Sequence, residues 1–320
     1  MATRQSDLIP AAEAAIRCLG VGPTDDVLVL CNEQQRTIAE SLAMAADGLG
    51  RRVRVLEYPT LTRDGEEPPA FVGQAMAKAT VILAPTTYSI SHTRARINAT
   101  DRGARIATMP GITPETFMRC VPVDYGELRR AGAVIASELS AALTCRVTSR
   151  VGTDVVLSLG GREAICDDGD LRAQAAWGNL PAGEAFIPPI ETQGEGTIVF
   201  DGAVAGYGML RELLRVTLAG GRATEAEGEA AQWLLDTLDA GGKTGRLIAE
   251  LGIGTNPRAT LTGNILEDEK AVGTAHLAFG TSASIGGANA VLVQPTIELD
   301  DRPLIRDGEL LDSGTNTAAR

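Results

Sequence analysis

Four short aliphatic runs, at residues 27–30, 53–56, 80–84 and 105–109, alternate with stretches whose apolar residues recur at helical spacing, at about 8–19, 34–49 and 70–78 and again ahead of residue 105. That alternation predicts parallel strands joined by helical crossovers, hence a doubly wound α/β sheet. In such sheets ligands gather at the carboxyl ends of the strands. The loop after Leu83 therefore draws attention, and it carries Thr86, Thr87, Tyr88, Ser89, Ser91 and His92.

Near residue 140 the texture changes. Residues 145–149 and 154–159, separated by Val151-Gly152-Thr153, read as a hairpin rather than a crossover. Beyond it the chain is glycine-rich, with short strands expected at 197–200 and 214–218, a helix at about 226–240, and a polar tail from Ser313 that is expected to fray. A chain of 320 residues exceeds what one core usually serves. The expected organisation is a Rossmann-like α/β domain over 1–138 and an α+β domain over 139–320.

Composition removes several classes of function. A formal net charge of −12, with no cluster of Lys and Arg, opposes binding to a phosphate backbone, so no nucleic-acid partner is expected. The five cysteines are odd in number and form no CxxC pair, as in a reduced protein. No stretch approaches the roughly 20 apolar residues of a membrane span, and Asp7 and Glu13 interrupt any apolar run near the start. A cytoplasmic location without a membrane partner is the expectation. The turn after Leu30, Cys31-Asn32-Glu33-Gln34-Gln35, has no glycine to admit a pyrophosphate, which argues against a nucleotide cofactor. His92 and His276 are the two histidines of the chain, which excludes an HExxH zinc site and any three-histidine site.

Three segments of the second half carry candidate chemistry. Asn179-Leu180-Pro181-Ala182-Gly183-Glu184 ends on a carboxylate, Glu250-Leu251-Gly252-Ile253-Gly254-Thr255-Asn256-Pro257 opens on one, and Asp268-Glu269-Lys270 leads into Gly273-Thr274-Ala275-His276-Leu277-Ala278-Phe279-Gly280. Together they resemble the aminopeptidase T family of metallo-aminopeptidases. In the first half, Ser91-His92-Thr93-Arg94-Ala95-Arg96 and Gly103-Ala104-Arg105-Ile106-Ala107-Thr108-Met109-Pro110-Gly111 are similar to the branch containing the 2,5-dihydroxypyridine dioxygenases. The resemblance implies metal ligands at Glu184, Glu250 and His276. It also implies a tyrosine shortly after that histidine and a downstream His-x-Asp pair, and this sequence departs from both. Ser282 or Ser284 stands where the tyrosine would be, and Gly286-Gly287-Ala288-Asn289-Ala290 runs directly into residues 291–300 without His-x-Asp.

The ligands that remain allow two readings: one divalent ion, zinc, manganese, cobalt or iron, or no metal, with the glutamates in ion pairs and His276 a satisfied interior side chain. His92 is either an acid/base or substrate-binding group or a cap for the next helix. Arg94, Arg96 and Arg105 form ion pairs, or one of them, with Arg94 and Arg105 as the candidates, holds a substrate carboxylate. Lys270 is either a proton-transfer group tuned by buried glutamates or part of a solvated helix start spanning Glu267 to Lys270. The main functional expectation is a hydrolase cleaving an amide or other C–N bond in a small molecule or short peptide. The alternatives are a ring-processing enzyme related to the dihydroxypyridine dioxygenases, and a metal-free acid/base catalyst or binding protein. His92 is expected to share one cleft with Glu184, Glu250 and His276, and a homodimer built on the second domain is expected.

Overall fold

Residues 27–31 have almost no exposed surface, as suits a strand covered on both faces of a parallel sheet. In the computed structural model, which describes residues 5–50, 52–280 and 288–311, they belong to the first strand of an alternating series. The series runs α1 (Gln5–Leu19), β1 (Asp26–Cys31), α2 (Arg36–Ala46), β2 (Arg52–Glu57), α3 (Ala70–Met76), β3 (Val81–Thr86), α4 (Arg94–Thr100) and β4 (Arg105–Pro110). All neighbours pair in parallel in the order β2-β1-β3-β4, and the strand Trp177–Asn179 adds a fifth member beside β4. The crossover pattern read from the sequence is thus the doubly wound sheet it predicted.

The chain divides into two compact units, Met1–Leu128 with Asp167–Ala182, and Arg129–Cys166 with Gly183–Arg320. The return of 167–182 to the first unit has no counterpart in the hydrophobic pattern, because its strand is short and half exposed. The second unit carries two antiparallel sheets. One has eight strands and includes the expected hairpin of Thr144–Thr148 with Asp154–Ser158. The other has seven, its centre running Asn289–Val293, Thr274–Phe279, Ile248–Gly254, Glu184–Ile187. Val147, Leu157, Ile198 and Phe200 from the first and Ile187, Leu251, Ile253, Leu277 and Leu292 from the second belong to one hydrophobic core.

The helix expected over 226–240 begins only at Ala231. Arg222–Glu227 is a strand paired with Leu214–Ala219 around Gly220 and Gly221, both at positive φ. Two consecutive residues of that conformation favour a tight hairpin over a helix, and the turn decides against the apolar spacing. Among the described residues no helix is long and apolar enough to cross a membrane. Ser282, Ser284 and the tail from Ser313 lie outside the described residues.

Candidate functional site

Side chains of a strand alternate between faces, so register decides which residues meet. In the seven-stranded sheet Glu184 is opposite Gly254, Gly252 is opposite His276, and Glu250 is opposite Ala278, which is in turn opposite Asn289. Glu184, Glu250, His276 and Asn289 therefore share one face, while Ala185, Leu251, Ile253, Ala275 and Leu277 point into the core on the other. Both glycines between the two glutamates are needed for close approach. A Cβ on Gly252 would overlap the His276 ring, and a Cβ on Gly254 would overlap the backbone of Lys270 and Ala271. The spacing of the Glu250 motif thus reflects a ring and a chain crossing laid directly on the strand.

That crossing brings in two residues from beyond the sheet. The short helix Ile265–Asp268 is capped by Asn264. Its two acids are buried and consumed locally: Glu267 accepts from the amide and hydroxyl of Thr260, and Asp268 from Thr262 and Gly263. The next two residues turn to the sheet. Lys270, with a side chain 0% exposed, donates from Nζ to Glu269 Oε1 at 2.7 Å and Glu184 Oε1 at 3.2 Å. Asn289 Nδ2 donates to the other Glu269 oxygen at 3.0 Å. His276 Nε2 lies 3.2 Å from Glu250 Oε1 and 3.4 Å from Glu184 Oε2. The solvated helix start considered for Glu267 to Lys270 is therefore replaced by four buried residues, two tying a loop and two joining the cluster.

Charge governs this cluster. Burial pushes Glu184 above the ordinary carboxylate range, against the pull of Lys270. Burial pushes Glu269 the same way, but Lys270, His276 and the bond from Asn289 outweigh it and hold the group below that range. Burial alone would lower His276, yet the hydrogen bond to Glu250 and the charges of Glu184 and Glu269 raise it to about 9. Lys270 Nζ and the His276 ring are thus set among the carboxyl groups of Glu184, Glu250 and Glu269. Glu184 Oε2 and His276 Nδ1 are buried without a hydrogen-bond partner among the described residues, and Glu250, with 30% side-chain exposure, is the open end of the group.

The resemblance points to a metal here, and ligand atoms of Glu184, Glu269 and His276 do lie within 4.8 Å of one another. A carboxylate and imidazole set of this kind suits a divalent cation in its donor chemistry. The position does not suit one, because Lys270 Nζ already bonds an oxygen of each of its two carboxylates and Asn289 holds the remaining oxygen of Glu269. Glu184 and His276 of the set read from sequence belong to this trio, Glu250 of that set lies at bonding distance from its His276 member, and Glu269 was not in that set.

The first unit holds the other sequence candidates. His92 packs edge-on against Trp177 at 5.5 Å. Thr93 is the residue that caps α4, by accepting from Arg96, so a capping role for His92 is corrected. Arg96 is buried with its guanidinium over Trp177 at 3.9 Å and bonds Ser91 O and Thr100. Arg94 is exposed, while Arg105 pairs with Asp25 and bonds the carbonyls of Leu19 and Gly20, which anchors the end of α1. Glu269 and Asn289 were missed by sequence reasoning. The signal available for Glu269 was its adjacency to Lys270 and the His276 motif.

The family profile described as 2,5-dihydroxypyridine 5,6-dioxygenase matches residues 7–312. No curated protein matches the chain in sequence. Among solved structures, 2,5-dihydroxypyridine dioxygenase from Pseudomonas putida KT2440 is similar with a TM-score of 0.82 at 20% identity, covering 98% of this chain and 99% of that one. Wild-type AmpT from Thermus thermophilus is similar with a TM-score of 0.69 at 18% identity, covering 96% and 99%. At these identities the likeness is one of fold, and both relatives are of the kinds the sequence motifs resemble.

Proposed function

The chain belongs to the 2,5-dihydroxypyridine 5,6-dioxygenase family, and from that premise we propose that it is an enzyme acting on a small hydroxylated nitrogen-containing ring by acid/base chemistry. The observation that carries the reading is the His276 ring held between Glu250 and Glu184 at 3.2 and 3.4 Å, with the Glu250 carboxylate 30% exposed. Glu250 is the group a substrate meets, and it takes a proton from a ring hydroxyl. The imidazolium stabilises the oxyanion so formed, and the proton returns to the ring at carbon. Lys270 offsets the charge of Glu184 and Glu269, so that an anionic intermediate is not repelled.

Family membership supports a ring substrate ahead of amide hydrolysis, the main reading suggested by the aminopeptidase motifs. A facial triad of two histidines and one carboxylate would require a second imidazole beside His276, and the His-x-Asp pair that supplies it elsewhere is absent from the sequence. The test is a spectrophotometric assay of chelator-treated protein with 2,5-dihydroxypyridine and monohydroxypyridines. The expected outcome is conversion that falls at least about 100-fold in Glu250→Gln and His276→Ala. Release of amine from short peptide amides, with the rings untouched, would restore the hydrolase reading.

A further inference from the structure

We propose that Lys270 is the resident cation of this cluster, occupying the place a divalent metal would take among Glu184, Glu269 and His276, so that its removal turns the group into a metal site. The trio has the spacing of a ligand set, with donor atoms within 4.8 Å. One oxygen of each carboxylate is nonetheless committed to an ammonium, at 2.7 Å for Glu269 and 3.2 Å for Glu184. A metal bound about 2.0–2.2 Å from the same oxygens would face that ammonium across a few ångströms of buried space, where two positive charges repel strongly.

The lysine cannot readily withdraw, because its backbone is held from both sides. Its carbonyl accepts from the Asn256 amide at 2.8 Å, and its amide donates to Glu267 O at 3.0 Å. The chain at 270–271 lies on Gly254 so closely that no side chain fits between them. Glu267 and Asp268 fasten the preceding turn to residues 260–263. The side chain of Lys270 is thus delivered into the cluster by a rigid crossing, and it is fully buried there. Glu269 is similarly committed, one oxygen to Lys270 and the other to Asn289. A cation that is part of the chain supplies one of the two positive charges of a divalent metal, without its Lewis acidity or redox chemistry.

This inference rests on the acid/base reading of the same site, but its test reads metal rather than turnover. Wild-type protein and Lys270→Met, both stripped with chelator and dialysed, are titrated with Co(II) and followed by equilibrium dialysis and visible absorption. The expected result is no stoichiometric binding by the wild type. One Co(II) per chain should bind to Lys270→Met, with affinity raised on the order of 100–1000-fold and abolished by adding His276→Ala. Equal binding by both proteins, or by neither, overturns the proposal. If Lys270→Met does not fold, Lys270→Gln replaces it. The thermal midpoint of the wild type also decides, since it should be unchanged by Co(II) and a rise would contradict the assignment. Wild-type metal binding would end this inference while leaving the ring as substrate open.

Discussion

Two polar regions of this chain are built from opposite materials. At the carboxyl edge of the parallel sheet the groups are neutral and satisfy one another: Asn32 accepts from the Thr87 amide and donates to Tyr58 O, Thr87 donates to Gln35, and Ser91, Thr108 and Asn179 form a chain of bonds at 2.7 Å. On the antiparallel sheet of the second unit, charge is satisfied by opposite charge around Lys270 and His276. Loss of one member of the first network costs a hydrogen bond. Loss of one member of the second leaves a buried charge without its counterpart, which is several times more expensive.

The largest effect should follow from Lys270→Met in metal-free buffer, which leaves Glu184 and Glu269 facing each other without their cation. A loss of about 3–5 kcal/mol by chemical denaturation is expected, and a loss below about 1 kcal/mol would erase the contrast. Gly252→Ala should come next, because its Cβ and the His276 ring cannot occupy the same space. A cost of about 1–3 kcal/mol is expected from the midpoint of urea unfolding, together with lower turnover. A near-neutral result would show that the ring does not lie on the strand.

The charged region should also respond to pH. His276 is raised from 6.5 to about 9 in the fold. Its charge therefore contributes stability that is fully present below pH 6.5 and is lost as pH rises through about 9. The thermal midpoint of the wild type should fall over that window, and the fall should be absent in His276→Gln. The smallest effect is expected in the neutral region, where Thr108→Val should cost about 1 kcal/mol with no change in the pH profile. A pH-dependent loss there would mean that the first network is charged after all.

Much of this was legible in advance for a physical reason. The strands at 27–30 and 80–84 and the crossovers around them are written in local periodicity, which a parallel sheet requires. Glu184, Glu250 and His276 were found as motif residues, and alternation along paired strands brings them to one face. Glu269 was not legible. Its place depends on a short helix being pinned by Glu267 and Asp268 and on a close crossing over Gly254, and neither follows from a pattern of hydrophobicity. The return of 167–182 to the parallel sheet was hidden because its pairing partner lies far along the chain, and the late start of the helix at Ala231 because the hairpin around Gly220 and Gly221 claims the residues before it.

The most direct test is metal analysis of wild-type protein purified without chelator, with turnover of the same sample measured before and after dialysis against chelator. A chain whose resident cation is Lys270 should carry well under about 0.1 equivalent of any transition metal and should keep its activity through dialysis. About one equivalent of metal, lost together with activity on dialysis and absent from His276→Ala, would contradict the account.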